Sequence, residues 1–216
     1  MYRLLDLCCG AGGAAMGYHR AGFSVLGVDI DPQQNYPFEF VQGDAYRYPL
    51  DGFDAVHASP PCQAYSTLRA MHPDRQASYS VLLTMLQSRL RNQPLPYVIE
   101  NVPGARMKQP VTLCGSMFGL CIERGWLRRH RLFECSFPVP QMKCDHPEDV
   151  PAVGVYGHGG HSGKHRMLHA AEAREIMEID WTNRDELAQA IPPAYTEYIG
   201  VHLRRHLDNS ASTNAA

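Results

Sequence analysis

The sequence predicts an α/β domain built on a doubly wound parallel sheet. Three observations carry that prediction. Short apolar runs of strand length alternate with segments whose apolar residues recur at helical spacing. A glycine turn, Gly10-Ala11-Gly12-Gly13, joins the first such run to the first helix. Later runs end at residues able to do chemistry: Asp29, Cys62 and Glu100.

The elements follow in order. Residues 2–8 read as a buried strand, and a helix runs from the glycine turn to about Ala21. Residues 24–29, 38–42 and 53–58 read as the next three strands. Over 77–91, Val81, Leu82, Met85, Leu86 and Leu90 fall at helical spacing, and Pro94 and Pro96 end that helix. Residues 97–101 form a fifth strand and 130–137 one more. From Pro138 to about His165 the composition turns to Pro, Gly and His, which predicts irregular structure. Thr182-Asn183-Arg184-Asp185 predicts a capping box opening a short helix that Pro192-Pro193 stops. An amphipathic helix over 194–207 follows, and the low-complexity tail 208–216 is expected to be disordered. The chain thus divides into a core over 1–135, a short insertion over 136–181, a segment over 182–207 that returns to the core, and the tail.

A chain of 216 residues suffices for one α/β domain. The net charge of −2 excludes a strongly basic protein but not local phosphate-binding clusters. No apolar run approaches 18 residues, so no membrane span is expected. Met1-Tyr2-Arg3 leads straight into a strand without a signal peptide, and the seven cysteines are an odd count. Free thiols in a reducing cytoplasm fit this pattern.

The glycine turn permits close approach of a ligand to helix N-terminal N–H groups. Asp29 stands 19 residues after Gly10, where a carboxylate accepts hydrogen bonds from ribose hydroxyls. Asp44, in Gln42-Gly43-Asp44-Ala45, stands where it could meet an adenine edge. Alone, the turn serves a nicotinamide dinucleotide equally well, and both carboxylates could instead be helix caps. Cys62, in Ser59-Pro60-Pro61-Cys62-Gln63, is a thiol on a rigid turn at a strand end, and Glu100 ends the next strand 38 residues later.

Several blocks are similar to the signatures of the DNA (cytosine-5) methyltransferases. They are Asp6-Leu7-Cys8-Cys9-Gly10-Ala11-Gly12-Gly13, Pro61-Cys62-Gln63, Glu100-Asn101-Val102, Arg129-His130-Arg131, and Ile191-Pro192-Pro193 followed by Ile199-Gly200. The resemblance covers roughly 2–135 and 182–204. Four places depart from the pattern: Cys8 replaces a Phe, Ala58-Ser59-Pro60 a glycine-rich lead-in, Leu127 a Gln, and Gln189 or Ala190 an Asn.

The resemblance implies a Rossmann-like sheet that binds S-adenosylmethionine through Asp6, Cys8, Gly10, Gly12, Gly13, Asp29, Ile30, Asp44, Pro61 and Ala190. It implies a Cys62 thiolate adding to carbon 6 of a flipped-out cytosine, which makes carbon 5 nucleophilic. Glu100 would stabilise charge at ring N3. Of Arg129 and Arg131, one would hold cytosine O2 and a phosphate and the other would orient Glu100. Ser59, Gln63, Ser66, Asn101, Lys164 and Arg166 would contact the substrate. The implied protein is a small phage- or prophage-type enzyme acting as a cytoplasmic monomer on double-stranded DNA. RNA as substrate and a catalytically silent DNA-binding relative are the alternatives.

Residues 136–181 occupy the place of a target-recognition domain. Cys135, Cys144, His146, His158, His161 and His165 raise a zinc reading, but C-x8-C-x-H is no standard finger. No metal is expected. A flexible Gly/His loop over 156–166, lying against phosphates through Lys164 and Arg166, is expected instead.

Overall fold

A computed structural model describes residues 1–62, 76–156 and 166–214, with backbone alone at 76–80, 166–167 and 214. The first unit is β1 (Arg3–Leu7), α1 (Gly13–Arg20) and β2 (Ser24–Asp29), followed by β3 (Glu39–Gln42) and β4 (Ala55–Ala58). Then come α2 (Gln76–Arg91), β5 (Tyr97–Asn101) and β6 (Val111–Leu113). A 3-10 turn at Gly115–Phe118 leads to β7 (Cys121–Ile122), β8 (Gly125–Leu127) and β9 (Arg131–Cys135). The chain closes with β10 (Ala152–Gly154), β11 (Arg166–Met167), α3 (Ala170–Met177), α4 (Arg184–Gln189) and α5 (Pro193–Asn214).

The main sheet has the order β3-β2-β1-β4-β5-β9-β6. The strands from β3 to β5 are parallel, and β9 runs antiparallel to both β5 and β6. The chain builds outward from β1 through β2 and β3, then returns to place β4 on the other side of β1. The order therefore reverses between β1 and β4, and in open α/β sheets ligands bind beyond the carboxyl ends of the strands at that reversal. Cys8 to Gly13 leave β1 at this edge, and Ser59 to Cys62 leave β4 there.

Both sheet faces are buried, which is why the parallel strands read as near-continuous apolar runs. On one face Leu4, Val25, Ala55 and Val98 pack with Ala14, Ala15 and Tyr18 of α1 and Tyr195, Ile199 and Leu203 of α5. On the other, Leu5, Leu7, Val28, Val56 and Ile99 meet Leu83, Leu86 and Leu90 of α2. The buried stripe of α2 is thus 83/86/90. Val81 and Met85, expected on that stripe, are 54% and 50% exposed.

Helices α1 and α5 approach at Gly17, where a side chain would collide with Thr196 Oγ1 and the Pro193 carbonyl. Thr196 Oγ1 donates to Ala14 O at 2.8 Å across the same contact.

Three expectations are corrected. The tail is helical to Asn214. No Pro or Gly follows Leu207, and Ser210, Ser212 and Thr213 hydroxyls donate to carbonyls four residues back. The capping box falls one residue later than expected: Asn183 accepts from the N–H groups of Asp185 and Glu186, and Glu186 reaches back to Asn183 N. The insertion is not wholly irregular, because its β10 and β11 join β7 and β8 of the core in a second sheet of order β11-β10-β8-β7. Among the described residues, no helix is long and apolar enough to cross a membrane.

Candidate active site

The first glycine of the turn lies under open space. Gly10 has φ +49, and a Cβ built there meets nothing within 4 Å. Gly12, at φ +84, is the N-cap of α1, and no side chain caps that helix end. The first N–H groups of α1 are thus left for a polar or anionic ligand. Asp29 aims at the turn: Oδ2 accepts from Gly10 N at 3.0 Å and Oδ1 from Asp31 N at 3.1 Å. Each oxygen keeps a second lone pair. Ile30, beside it, is 65% exposed, an apolar platform at the mouth of the turn. Asp44 accepts from Tyr46 N at 2.9 Å and lies 3.5 Å from Arg47 Nε, so it caps its own turn as well as facing this edge.

Two expected cofactor ligands sit lower. Asp6 is fully buried with neither carboxylate oxygen hydrogen-bonded. Burial, then the Asp29 charge, pushes its carboxyl well above the usual range. The Tyr36 hydroxyl influences it but does not reach hydrogen-bond geometry, and is itself unpaired. Cys8 adopts φ 55 at the end of β1, and burial raises its thiol. The C-terminal return covers the turn from the far side. Trp181 Nε1 donates to Ala11 O at 2.8 Å, and Gly13 abuts the Ile191 carbonyl and the Ala190 methyl.

Cys62 and Glu100 share the neighbouring edge. Burial raises the Cys62 thiol pKa, as does the Glu100 charge, while Arg131 and Arg129 pull it down. The net direction is upward. Glu100 is likewise raised by burial, against lowering by Arg131, Arg129 and a Ser59 hydrogen bond. Arg131 Nε stands 3.1 Å from Glu100 Oε1, with both side chains largely buried. Pro61 precedes the thiol in the turn and is half-buried.

Behind Glu100 runs a buried polar chain that no sequence motif marks. Tyr18 Oη lies 2.9 Å from His57 Nδ1, His57 Nε2 lies 2.8 Å from Ser59 Oγ, and the Ser59 hydroxyl in turn lowers the Glu100 pKa. Burial holds the His57 pKa down to about 3, so the ring is neutral. With the ring neutral, Tyr18 donates to Nδ1 and Nε2–H donates to Ser59, which leaves the Ser59 hydroxyl proton free to face Glu100.

The structure gives several expected contact residues other work. The Ser59 hydroxyl lies between His57 and Glu100. Asn101 is fully buried; Nδ2 donates to Pro60 O at 3.1 Å and Oδ1 accepts from Val102 N at 3.0 Å. It braces the cysteine turn. Arg129 precedes β9 and is not on a strand beside Arg131. Its guanidinium donates to Val155 O, Ala188 O and Ala190 O at 3.3, 2.7 and 2.7 Å, leaving only Nε unpaired, while Tyr195 Oη donates to Arg129 O at 2.6 Å. Gln63, Ser66, Lys164 and the Arg166 side chain lie outside the described residues.

The zinc reading is also redrawn. Cys135 sits on β9 opposite Val98, and Cys144 and His146 meet Cys114 and His130 instead. His158, His161 and His165 lie outside the described residues.

A largely parallel sheet whose reversal point carries a glycine turn, with a cysteine turn beside it, defines a Rossmann-like fold. Residues 2–117 match the family of C-5 cytosine-specific DNA methylases, and the chain belongs to that family. Solved structures agree in fold. A DNA modification methyltransferase encoded within an E. coli prophage aligns at TM-score 0.60 and 16% identity, over 96% of this chain and 100% of that one. Entamoeba histolytica EhMeth aligns at 0.62 and 12%, and S. pombe Dnmt2 at 0.61 and 15%, each over 96% of this chain and 99% of the other.

Proposed function

We propose that this protein methylates carbon 5 of cytosine in double-stranded DNA with S-adenosylmethionine. The observation that carries the reading is the coupling of Cys62 to Glu100 and Arg131 at the ends of adjacent strands β4 and β5. The open space over Gly10, the uncapped N-terminus of α1, Asp29 and exposed Ile30 fit the donor's amino acid, ribose and adenine parts. When bound there, S-adenosylmethionine supplies an electrophilic methyl group.

The residues then divide the work. Cys62 gives its proton to solvent and its sulfur bonds to carbon 6 of the extruded base. Glu100, whose proton affinity burial has raised, protonates or hydrogen-bonds N3 as the ring electrons move toward carbon 5. Carbon 5 would take the methyl group as its bond to the donor's sulfonium sulfur breaks, that bond's electron pair staying on the sulfur. Its proton then leaves to water, the electron pair reforms the ring double bond, the sulfur–carbon 6 bond breaks, and the N3 proton returns to Glu100. Arg131 orients Glu100 and faces the pyrimidine O2; Arg129 fixes the backbone behind it.

The test is transfer of labelled methyl from S-adenosylmethionine to duplex DNA, with RNA of the same sequence in parallel. Label at cytosine carbon 5 of DNA supports the reading, and label confined to RNA overturns the choice of substrate. A covalent adduct with 5-fluorocytosine DNA tests the thiol step separately.

A further inference from the structure

Four side chains that the methyl-transfer reading does not use converge at one point. Cys114 follows β6 and is the N-cap of the 3-10 turn; His130 stands immediately before β9; Cys144 and His146 lie in the irregular segment after β9. One ligand atom from each lies within 4.8 Å of all the others. Cys144 Sγ is 3.4 Å from His130 Nε2 and 2.7 Å from His146 Nε2, and Cys114 Sγ is 3.7 Å from His146 Nε2.

We propose that Cys114, His130, Cys144 and His146 bind a zinc ion in a closed, tetrahedral structural site. Tetrahedral zinc with sulfur at about 2.3 Å and nitrogen at about 2.0–2.1 Å sets sulfur and nitrogen ligands about 3.6 Å apart. Two of the three separations match that spacing. The third opens by under about 1 Å when an ion stands between its atoms. Two thiolates balance the charge of the ion, and thiolate with imidazole is the donor set that zinc favours over calcium or magnesium.

A disulfide does not account for the cluster. Cys114 and Cys144 are both free, and joining them would leave two inward-pointing imidazoles without a common partner. The surroundings are those of a supported site. Ser116 Oγ lies 3.7 Å from Cys144 Sγ, and the Trp126 ring stacks on His146 at 4.7 Å. All four positions are filled by protein, so the site is structural and does not activate water.

Its place in the chain gives it a role. The ligands come from the end of β6, the entry to β9 and a segment without secondary structure. His130 lies between Arg129 and Arg131, and Arg131 Nη1 donates to His130 O at 2.9 Å. An ion held by the His130 ring fixes the backbone from which Arg131 reaches Glu100 and Arg129 reaches the Ala188 and Ala190 carbonyls.

The test uses the full-length protein purified under reducing conditions without a metal-affinity tag. Elemental mass spectrometry should find stoichiometric zinc, and cobalt(II) exchange should give the visible bands of a tetrahedral thiolate site. Cys114→Ser and Cys144→Ser should lose both signals, while Cys135→Ser keeps them. If the ligand variants do not fold, the wild-type cobalt spectrum still decides. Less than about a tenth of an equivalent of zinc with no thiolate-to-cobalt band, a Cys114–Cys144 disulfide in place of metal, or zinc that persists in both serine variants would overturn the proposal.

Discussion

Ser59 Oγ lies 2.8 Å from His57 Nε2, and through this contact the buried Tyr18–His57 pair reaches the Glu100 carboxylate. The link ties the acid of the proposed reaction to the first helix of the fold. It also makes Ser59 a positioning residue.

His57 should make the fold acid-sensitive. Its folded pKa is about 3, against an ordinary 6.5. Above 6.5 the ring is neutral in both states, and its full contribution to stability is present. As pH falls, the unfolded chain takes up the proton first, so stability drops by up to about 1.4 kcal/mol per pH unit until the folded ring titrates. Denaturant midpoints from pH 7 to 4 should fall less steeply in His57→Phe than in the wild type. Equal slopes would remove His57 as the cause.

Glu100 works in the opposite sense. Its folded pKa is raised above 4.5, so its contribution is fully present below that value and is lost as pH rises through the folded pKa. Glu100→Gln should therefore gain in melting temperature relative to wild type between pH 4 and 8, while losing most of the methylation rate. A gap that stays constant with pH would contradict the burial argument.

Cys62→Ala should abolish methyl transfer and the 5-fluorocytosine adduct while S-adenosylmethionine affinity stays nearly unchanged. The raised thiol pKa means that alkylation of wild-type Cys62 is slow at pH 7 and accelerates above pH 9. Removing the Arg131 charge, which lowers the thiol pKa, should slow alkylation further. Methylation surviving in Cys62→Ala would end the covalent mechanism.

Asp29→Ala should weaken S-adenosylmethionine binding by about 1.5–3 kcal/mol, the scale of lost hydrogen bonds to a charged group. The loss combines ribose contacts with a freed Gly10 N–H, whose partner is Asp29 Oδ2. Calorimetry showing unchanged affinity would place the ribose elsewhere.

The sequence declares its sheet because each parallel strand is buried on both faces and reads as an apolar run; β1, β2, β4 and β5 all fall within the expected ranges. Cys62 and Glu100 are legible because each closes such a run. The second sheet is hidden because its strands are two or three residues long, too short for alternation to register. Tyr18 and His57 are hidden for another reason. They look like core residues in sequence, and only the stacking of α1 on β4 brings their polar atoms together. The Cys114–His130 pairing depends on β9 returning antiparallel beside β6, a long-range event with no local signature.

The contact of Gly13 and Gly17 with the segment from Ile191 to Glu197 has a temporal consequence. The glycine turn is translated first, but one wall of it is supplied by the much later residues from Ile191 to Glu197. A nascent chain on the ribosome can form β1 to β5 while this wall is still missing. Closure of this wall therefore awaits synthesis through Glu197, and a message truncated before Ile191 would yield a chain that holds Cys62 but leaves the glycine turn uncovered.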